Sequence, residues 1–302
     1  MAKGFRAIPI LGLAVSLVLL SGCGDSNLKK ARKFQEQKDY AQAIQYYKQA
    51  LEKNPDNQSA RYGLIETYAL QLVSRPPQEV TPQLVEEAMV ELRPIAQPLM
   101  TDPNVKRYMS LIYQMLAKRY AETGRDDKAA EAWTVVTEME PSFAEAHYNL
   151  GIALSKTGRY EEAISRFEKA ISLNPYFVKG YYAIGNALLH LNRNEEAVKQ
   201  YLKALELNPE DPSTHHNLGV AYSRTGDNKK AVEEYKKTLE IEPNYYLAYR
   251  SLRDAYNEMN ETKKAKEADK KYKEMSEALM QAQRAAAQQQ AQGQTPPDVA
   301  KK

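Results

Sequence analysis

AEAHYNLGIALSKTGRYEEAISRFEKAISLNP (residues 144–175) is followed by VKGYYAIGNALLHLNRNEEAVKQYLKALELNP (178–209) and PSTHHNLGVAYSRTGDNKKAVEEYKKTLEIEP (212–243). The three stretches are variations on one pattern. Pro141, Pro175, Pro209 and Pro243 stand 34 residues apart without interruption, and a fixed period of that length marks a repeat architecture. In register with the prolines run Leu116-Ala117, Leu150-Gly151, Ile184-Gly185 and Leu218-Gly219, then Ala129, Ala163, Ala197 and Ala231, then Trp133, Phe167, Tyr201 and Tyr235. Apolar residues at three- and four-residue steps put one stripe on each of two helices of about thirteen residues. A short turn at Gly124, Gly158 or Gly226 folds each pair into an antiparallel hairpin. Small residues on both helices let their backbones approach closely, and enlarging one of the alanines to Leu is expected to cost about 1–3 kcal/mol by overpacking. Each Pro ends the second helix, because it cannot extend it and biases the residue before it toward extended geometry. A lone hairpin leaves a stripe uncovered, so hairpins stack and the expected fold is an all-α solenoid.

A small residue in the first helix, an alanine and an aromatic in the second, and a proline after it resemble the tetratricopeptide repeat (TPR). The resemblance implies about seven helix-turn-helix units over most of the chain. Asp39-Tyr40, Ala43, Tyr47, Ala50 and Pro55 make the first, its helix A beginning near Leu28. Tyr249, Leu252, Tyr256 and Ala265 start the seventh, but Arg253 replaces the small residue and Asp269 the aromatic. The last helix is therefore expected to be a polar cap, as a solenoid end requires.

The second unit departs furthest, since Pro55 to Pro141 is 86 residues, two periods plus 18. Arg61, Leu64, Ile65 and Tyr68 read as its helix A, and VSRPPQEVTP then interrupts. Thr81 is placed to cap a helix with Pro82 in its first turn and Ala88 and Leu92 facing the core. Pro94 is expected to kink that helix and Pro98 to end it, ahead of a lengthened helix from Val105 to Glu122. The insertion around 74–81 reads as a long inter-helix loop or as a partner-docking feature on a rigid scaffold. The expected layout is a signal peptide at 1–22, a lipidated N-terminus and first unit at 23–57 and an irregular second unit at 58–109. Four regular units follow at 110–245, a C-terminal unit with its capping helix at 246–283 and an Ala/Gln-rich disordered tail at 284–302. The alternative for the tail is a basic, glutamine-rich arm touching cell wall or anionic headgroups.

The first 24 residues read as an address. Lys3 and Arg6 precede the uncharged run Ala7–Leu20, then Ser21, Gly22 and Cys23, the order of a secretory signal. The uncharged stretch through Gly24 is eighteen residues, at the short limit for spanning a bilayer, so a transmembrane anchor is the second reading. Leu20-Ser21-Gly22-Cys23 resembles the bacterial lipobox, which implies acylation of Cys23 and a lipid-anchored mature chain. The competing reading of Cys23 is a buried or free thiol. Gly24 lacks the aspartate that the resemblance associates with inner-membrane retention, so the outer membrane is expected if the host is Gram-negative.

Composition narrows the function by exclusion. Among 302 residues, 42 Lys and Arg stand against 39 Asp and Glu, too even a balance for a nucleic-acid footprint. One cysteine and four histidines without ligand spacing give no disulfide framework and no metal site, and no motif calls for a cofactor or a small-molecule substrate. His147 and His215 share the fourth position of their repeats and read as core residues. Glu161-Glu162 and Glu195-Glu196 occupy one repeat position near helix starts, where they complement the helix dipole. No phosphate loop or nucleophile elbow is present, so the chain reads as non-enzymatic.

The resemblance also implies where a partner binds. In the family, helix A side chains line a concave groove, and the positions carried over here include Tyr148, Ile152, Lys179, Tyr182, Asn186, His216 and Arg250. The mixture is aromatic, amide and cationic, suited to an extended peptide or a partner helix. The clamp of the chaperone-binding subclass is absent from the fifth and ninth positions. The chain therefore reads as an anchored scaffold similar to pilotin-like and other envelope TPR lipoproteins. A fixed structural or regulatory subunit of one envelope enzyme or transport complex is the alternative.

Overall fold

A computed structural model describes residues 25–291. The signal segment, the acylation candidate Cys23 and the chain from 292 onward lie outside the described residues. Among the described residues fourteen α-helices succeed one another and pair into seven antiparallel hairpins. The first is α1 (Ser26–Glu36) with α2 (Tyr40–Lys53), and the second is α3 (Gln58–Ser74) with α4 (Pro82–Ala96). The third joins α5 (Pro103–Glu122) to α6 (Asp126–Met139), and the fourth joins α7 (Ala144–Lys156) to α8 (Tyr160–Leu173). Then come α9 (Val178–His190) with α10 (Asn194–Leu207), α11 (Pro212–Arg224) with α12 (Asn228–Ile241), and α13 (Tyr246–Glu258) with α14 (Thr262–Ala291). Each B helix but the last packs between its own A helix and the next one, while α1 and α3, α3 and α5, α7 and α9, α9 and α11, and α11 and α13 also touch directly. The A helices thus form the inner, concave layer.

Local chemistry explains where each helix starts and turns. Asp39, Asn57, Thr81, Asp102, Asp211 and Asp227 cap α2, α3, α4, α5, α11 and α12 by accepting from backbone N–H groups of the first turn. Helices α8 and α10 have no side-chain cap and instead carry Glu161-Glu162 and Glu195-Glu196 in the first turn, where the helix dipole favours negative charge. The A–B turns demand a left-handed residue. Gly124, Gly158 and Gly226 supply it, and Asn192, Asn260 and Lys38 hold the same place at φ 56°, 59° and 60°.

The close approach of A and B is built by one pair of positions sixteen residues apart. A Cβ on Gly185 or Gly219 would lie 2.5 Å from the ring of Tyr201 or Tyr235, and Gly151 is as tightly covered by Phe167. Ala31 with Tyr47 and Ala117 with Trp133 repeat the pair, all four buried. In the seventh unit the offset is kept and the chemistry changed: Arg253 Nη1 bonds Asp269 Oδ1 at 3.2 Å. The two residues that broke the pattern in the sequence face each other, while Arg253 also pairs with Asp254 and Asp269 with Lys273.

Unit two is irregular in a specific way. Ten residues after the repeat proline, where later units have Gly, it has Ile65, fully buried. The position sixteen residues on is Thr81, which caps α4 rather than lying within it, so the small-residue–aromatic pair is absent and α3 packs on α5 as well as on α4. The glycine of this unit, Gly63, receives Tyr47 from the preceding hairpin. The insertion is ordered: Pro77–Glu79 forms a single 3-10 turn, and Val80 is sunk in the core at 3% exposure. Pro94 sits inside α4, which closes at Ala96 before a second 3-10 turn at Gln97–Leu99.

Two boundaries expected from the sequence move. Helix α5 starts at Pro103, capped by Asp102, two residues ahead of the Val105 expected from the sequence. Helix α14 continues to Ala291 rather than giving way to a disordered tail at 284; alanine and glutamine are both good helix formers, and nothing before Ala291 breaks the run. Among the described residues no helix is long and apolar enough to cross a membrane.

Candidate functional site

The concave layer from α7 to α13 is a continuous set of polar and aromatic contacts. Tyr201, on a B helix, reaches between α9 and its neighbour and donates its hydroxyl to Asn186 Oδ1 at 2.6 Å. Asn217 donates both amide hydrogens, one to Tyr182 Oη at 3.0 Å and one to Asn186 Oδ1 at 2.9 Å. His216 follows, with Nε2 3.1 Å from Ser251 Oγ on α13, and its ring packs against Tyr235 and Tyr245. Arg224, at the end of α11, donates to the Leu189 carbonyl at 2.7 Å. Burial pushes the phenols of Tyr201 and Tyr235 well above their ordinary range and pulls the His216 imidazole down. Apart from Arg224, the network therefore presents neutral donors and acceptors already held in place.

The seven groove residues expected from the sequence fall into three groups. Tyr182, Asn186 and His216 are brought together by the network that runs through Asn217. Tyr148 is half-buried between Phe167 and Phe177, at ring separations of 5.7 and 5.1 Å, and Ile152 packs on the core beside it. Lys179 and Arg250 are exposed at the margins, apart from the network. Asn217, the hub, was not among the expected residues. It sits one position after His216 and is set apart in the sequence only by being an amide beside that groove candidate.

A second polar cluster lies on the same layer nearer the N-terminus. Glu66 on α3 accepts from Tyr108 at 2.6 Å and from Gln35 Nε2 at 2.9 Å, while Gln35 accepts from Tyr47 at 2.7 Å. Burial pushes the Tyr47 phenol up to about 12. Every strong acceptor here is already engaged, so the cluster ties α1, α2, α3 and α5 together.

The histidines at the fourth repeat position are structural. His147 and His215 are buried, and each points Nε2 at the carbonyl of the proline ending the previous unit, 3.0 Å to Pro141 and 2.9 Å to Pro209. In unit six the other ring nitrogen meets Glu234 at 2.6 Å; in unit four it has no partner. Burial lowers the pKa of His147. Among the described residues no three His, Cys, Asp or Glu side chains come together as a metal site would need.

Sixteen-residue pairing, A–B hairpins and a polar inner face define a tetratricopeptide-repeat α-solenoid, the architecture of a protein-interaction scaffold. Profiles described as tetratricopeptide repeat match residues 34–71, 144–177, 167–199 and 212–245, and one described as TPR repeat matches 185–226. Among solved structures the chain is similar to MamA. Two crystal structures of MamA are each 26% identical: one covers 55% of this chain and 97% of its own at a TM-score of 0.52, the other 57% and 94% at 0.53. MamA from residue 41 to its end, from Desulfovibrio magneticus RS-1, is 23% identical over 56% of this chain and 96% of that one, at a TM-score of 0.54, a likeness of fold. No curated protein matches the chain.

Proposed function

We propose that the protein is a membrane-anchored, non-enzymatic scaffold. Its concave face holds a peptide or helix of a partner protein, and acylated Cys23 keeps it at the cell envelope, in the outer membrane of a Gram-negative host. There it assembles or localises an envelope complex, with pilus and secretion machinery as examples. The observation that carries this reading is the linked set Tyr182, Asn186, Asn217 and His216 on the inner layer. Holding polar and aromatic side chains in fixed positions before binding lowers the ordering cost that a partner must overcome. Tyrosine suits the role, because it offers rigid apolar area and a hydroxyl at small entropic cost.

In-cell crosslinking and affinity capture of the full-length chain tests this, run beside Tyr182→Ala/His216→Ala and Cys23→Ser variants, with mass spectrometry of what is retained. The expected result is one defined partner set held by the parent chain and lost from the groove variant, with Cys23→Ser released from the membrane fraction. Undiminished capture by the groove variant would place binding elsewhere.

A further inference from the structure

Between α9 and α11 the inner layer opens into a shallow depression of about 330 Å³, lined by Asn186, Leu189, His190, Asn217 and Arg224. Its hydrogen-bonding character follows from how the surrounding network is connected. Asn186 Oδ1 is saturated by two donors, the Tyr201 hydroxyl and Asn217 Nδ2. The Asn186 amide nitrogen has no partner among the described residues, so both of its hydrogens are open. Asn217 has used both of its hydrogens inward, and its oxygen lies 3.3 Å from His216 Nδ1. Tyr182 accepts from Asn217, which leaves its own hydroxyl hydrogen free to donate. Arg224 uses Nη1 on the Leu189 carbonyl and, among the described residues, pairs with no carboxylate, so Nε and Nη2 remain open. His190 stacks face to face on Tyr160, at 4.7 Å and 4°, leaving the edge of its ring uncovered.

The amide oxygens here are engaged inward, and the open hydrogens of Asn186 and Arg224 stand beside one positive charge. A group that accepts from several of these donors at once and carries negative charge matches them best. We infer that the depression is a carboxylate subsite, occupied by the side chain of an aspartate or glutamate in the segment the groove holds. This rests on the scaffold reading above and names the chemistry of its partner: a segment with an acidic residue against α9 and α11, flanked by apolar residues against Tyr148 and Ile152. An acidic side chain fits better than a chain terminus, because the inner layer runs on past the depression in both directions and gives a chain no reason to stop there.

The test uses the full-length chain and a random-peptide array printed twice, once with free and once with amidated C-termini. Binding is compared with that to Arg224→Gln, Asn186→Leu and Tyr148→Ala variants. Arg224 is exposed and Asn186 half-buried, and circular dichroism checks that each variant keeps its helix content. The expected result is enrichment of Asp or Glu at one internal position, indifferent to amidation. Glu→Gln in the best peptide should then weaken binding about tenfold, as loss of one charge-assisted contact does, and should do so on the parent chain but not on Arg224→Gln. Peptides that bind through Tyr148 without acidic preference would overturn the subsite and leave the scaffold reading intact. Dependence on a free C-terminus would reassign the depression to a chain terminus. Binding unaffected by any of the three variants would overturn the groove itself.

Discussion

Units four to six and unit two are made from the same repeat and hold together differently. In the former, Gly151, Gly185 and Gly219 lie against Phe167, Tyr201 and Tyr235, so each B helix is drawn onto its A helix and the tip of its aromatic ring reaches the inner face. In unit two the two positions hold Ile65 and Thr81, the cap of α4, so the pair is absent and α3 packs on α5 as well as on α4. The glycine is therefore part of the groove as well as of the core: Tyr201 reaches Asn186 only because residue 185 has no Cβ. Where the pairing is absent, the inner face is tied together by Glu66 instead.

The comparison breaks most visibly at its two key positions. Gly185→Leu should destabilise the chain by about 3 kcal/mol through overpacking, and Ile65→Ala by about 3 kcal/mol through the cavity it leaves. A larger residue is harmful at one position and a smaller one at the other. Urea unfolding of both, with circular dichroism, reads the two effects, and a tolerated Gly185→Leu would mean that the pairing does not set the A–B distance. Lys38 holds a left-handed turn that three other units give to glycine, so Lys38→Gly should raise stability by about 1 kcal/mol, seen as a higher Tm.

In unit seven the ionic replacement of the pair is partly exposed, at 28% and 26% for the two side chains. A double-mutant cycle of Arg253→Ala and Asp269→Ala should give a coupling below about 1 kcal/mol. The smallest effect is a slope. Burial lowers the His147 pKa from its ordinary 6.5, so below that pH the unfolded chain takes up a proton that the folded chain refuses, and stability falls as pH falls. His147→Gln should flatten that dependence between its ordinary and folded values; an unchanged slope would mean that the ring titrates freely.

Most of the fold could be read from residue spacing, because a 34-residue period fixes helix number, turn position and the buried stripe together. The hidden parts were those in which a departure is compensated by its partner. Arg253 and Asp269 each read as a loss until their sixteen-residue offset shows them facing one another. Ile65 was legible as core, but the packing of α3 on α5 depends on a contact from the next unit. At the site, repeat position singled out Tyr182, Asn186 and His216 but passed over Asn217, since a hub is defined by what it touches across two helices. The repeat profiles stop at residue 71 and resume at 144, and units with the glycine–aromatic pair lie within the second stretch.

Photo-crosslinking in cells tests the central claim most directly, with p-benzoylphenylalanine placed at Tyr148 on the inner layer and, separately, at Val90, exposed on α4. One partner segment is expected to be crosslinked from position 148 and absent from position 90. Equal yields of the same partner from both positions, or capture from position 90 alone, would contradict it.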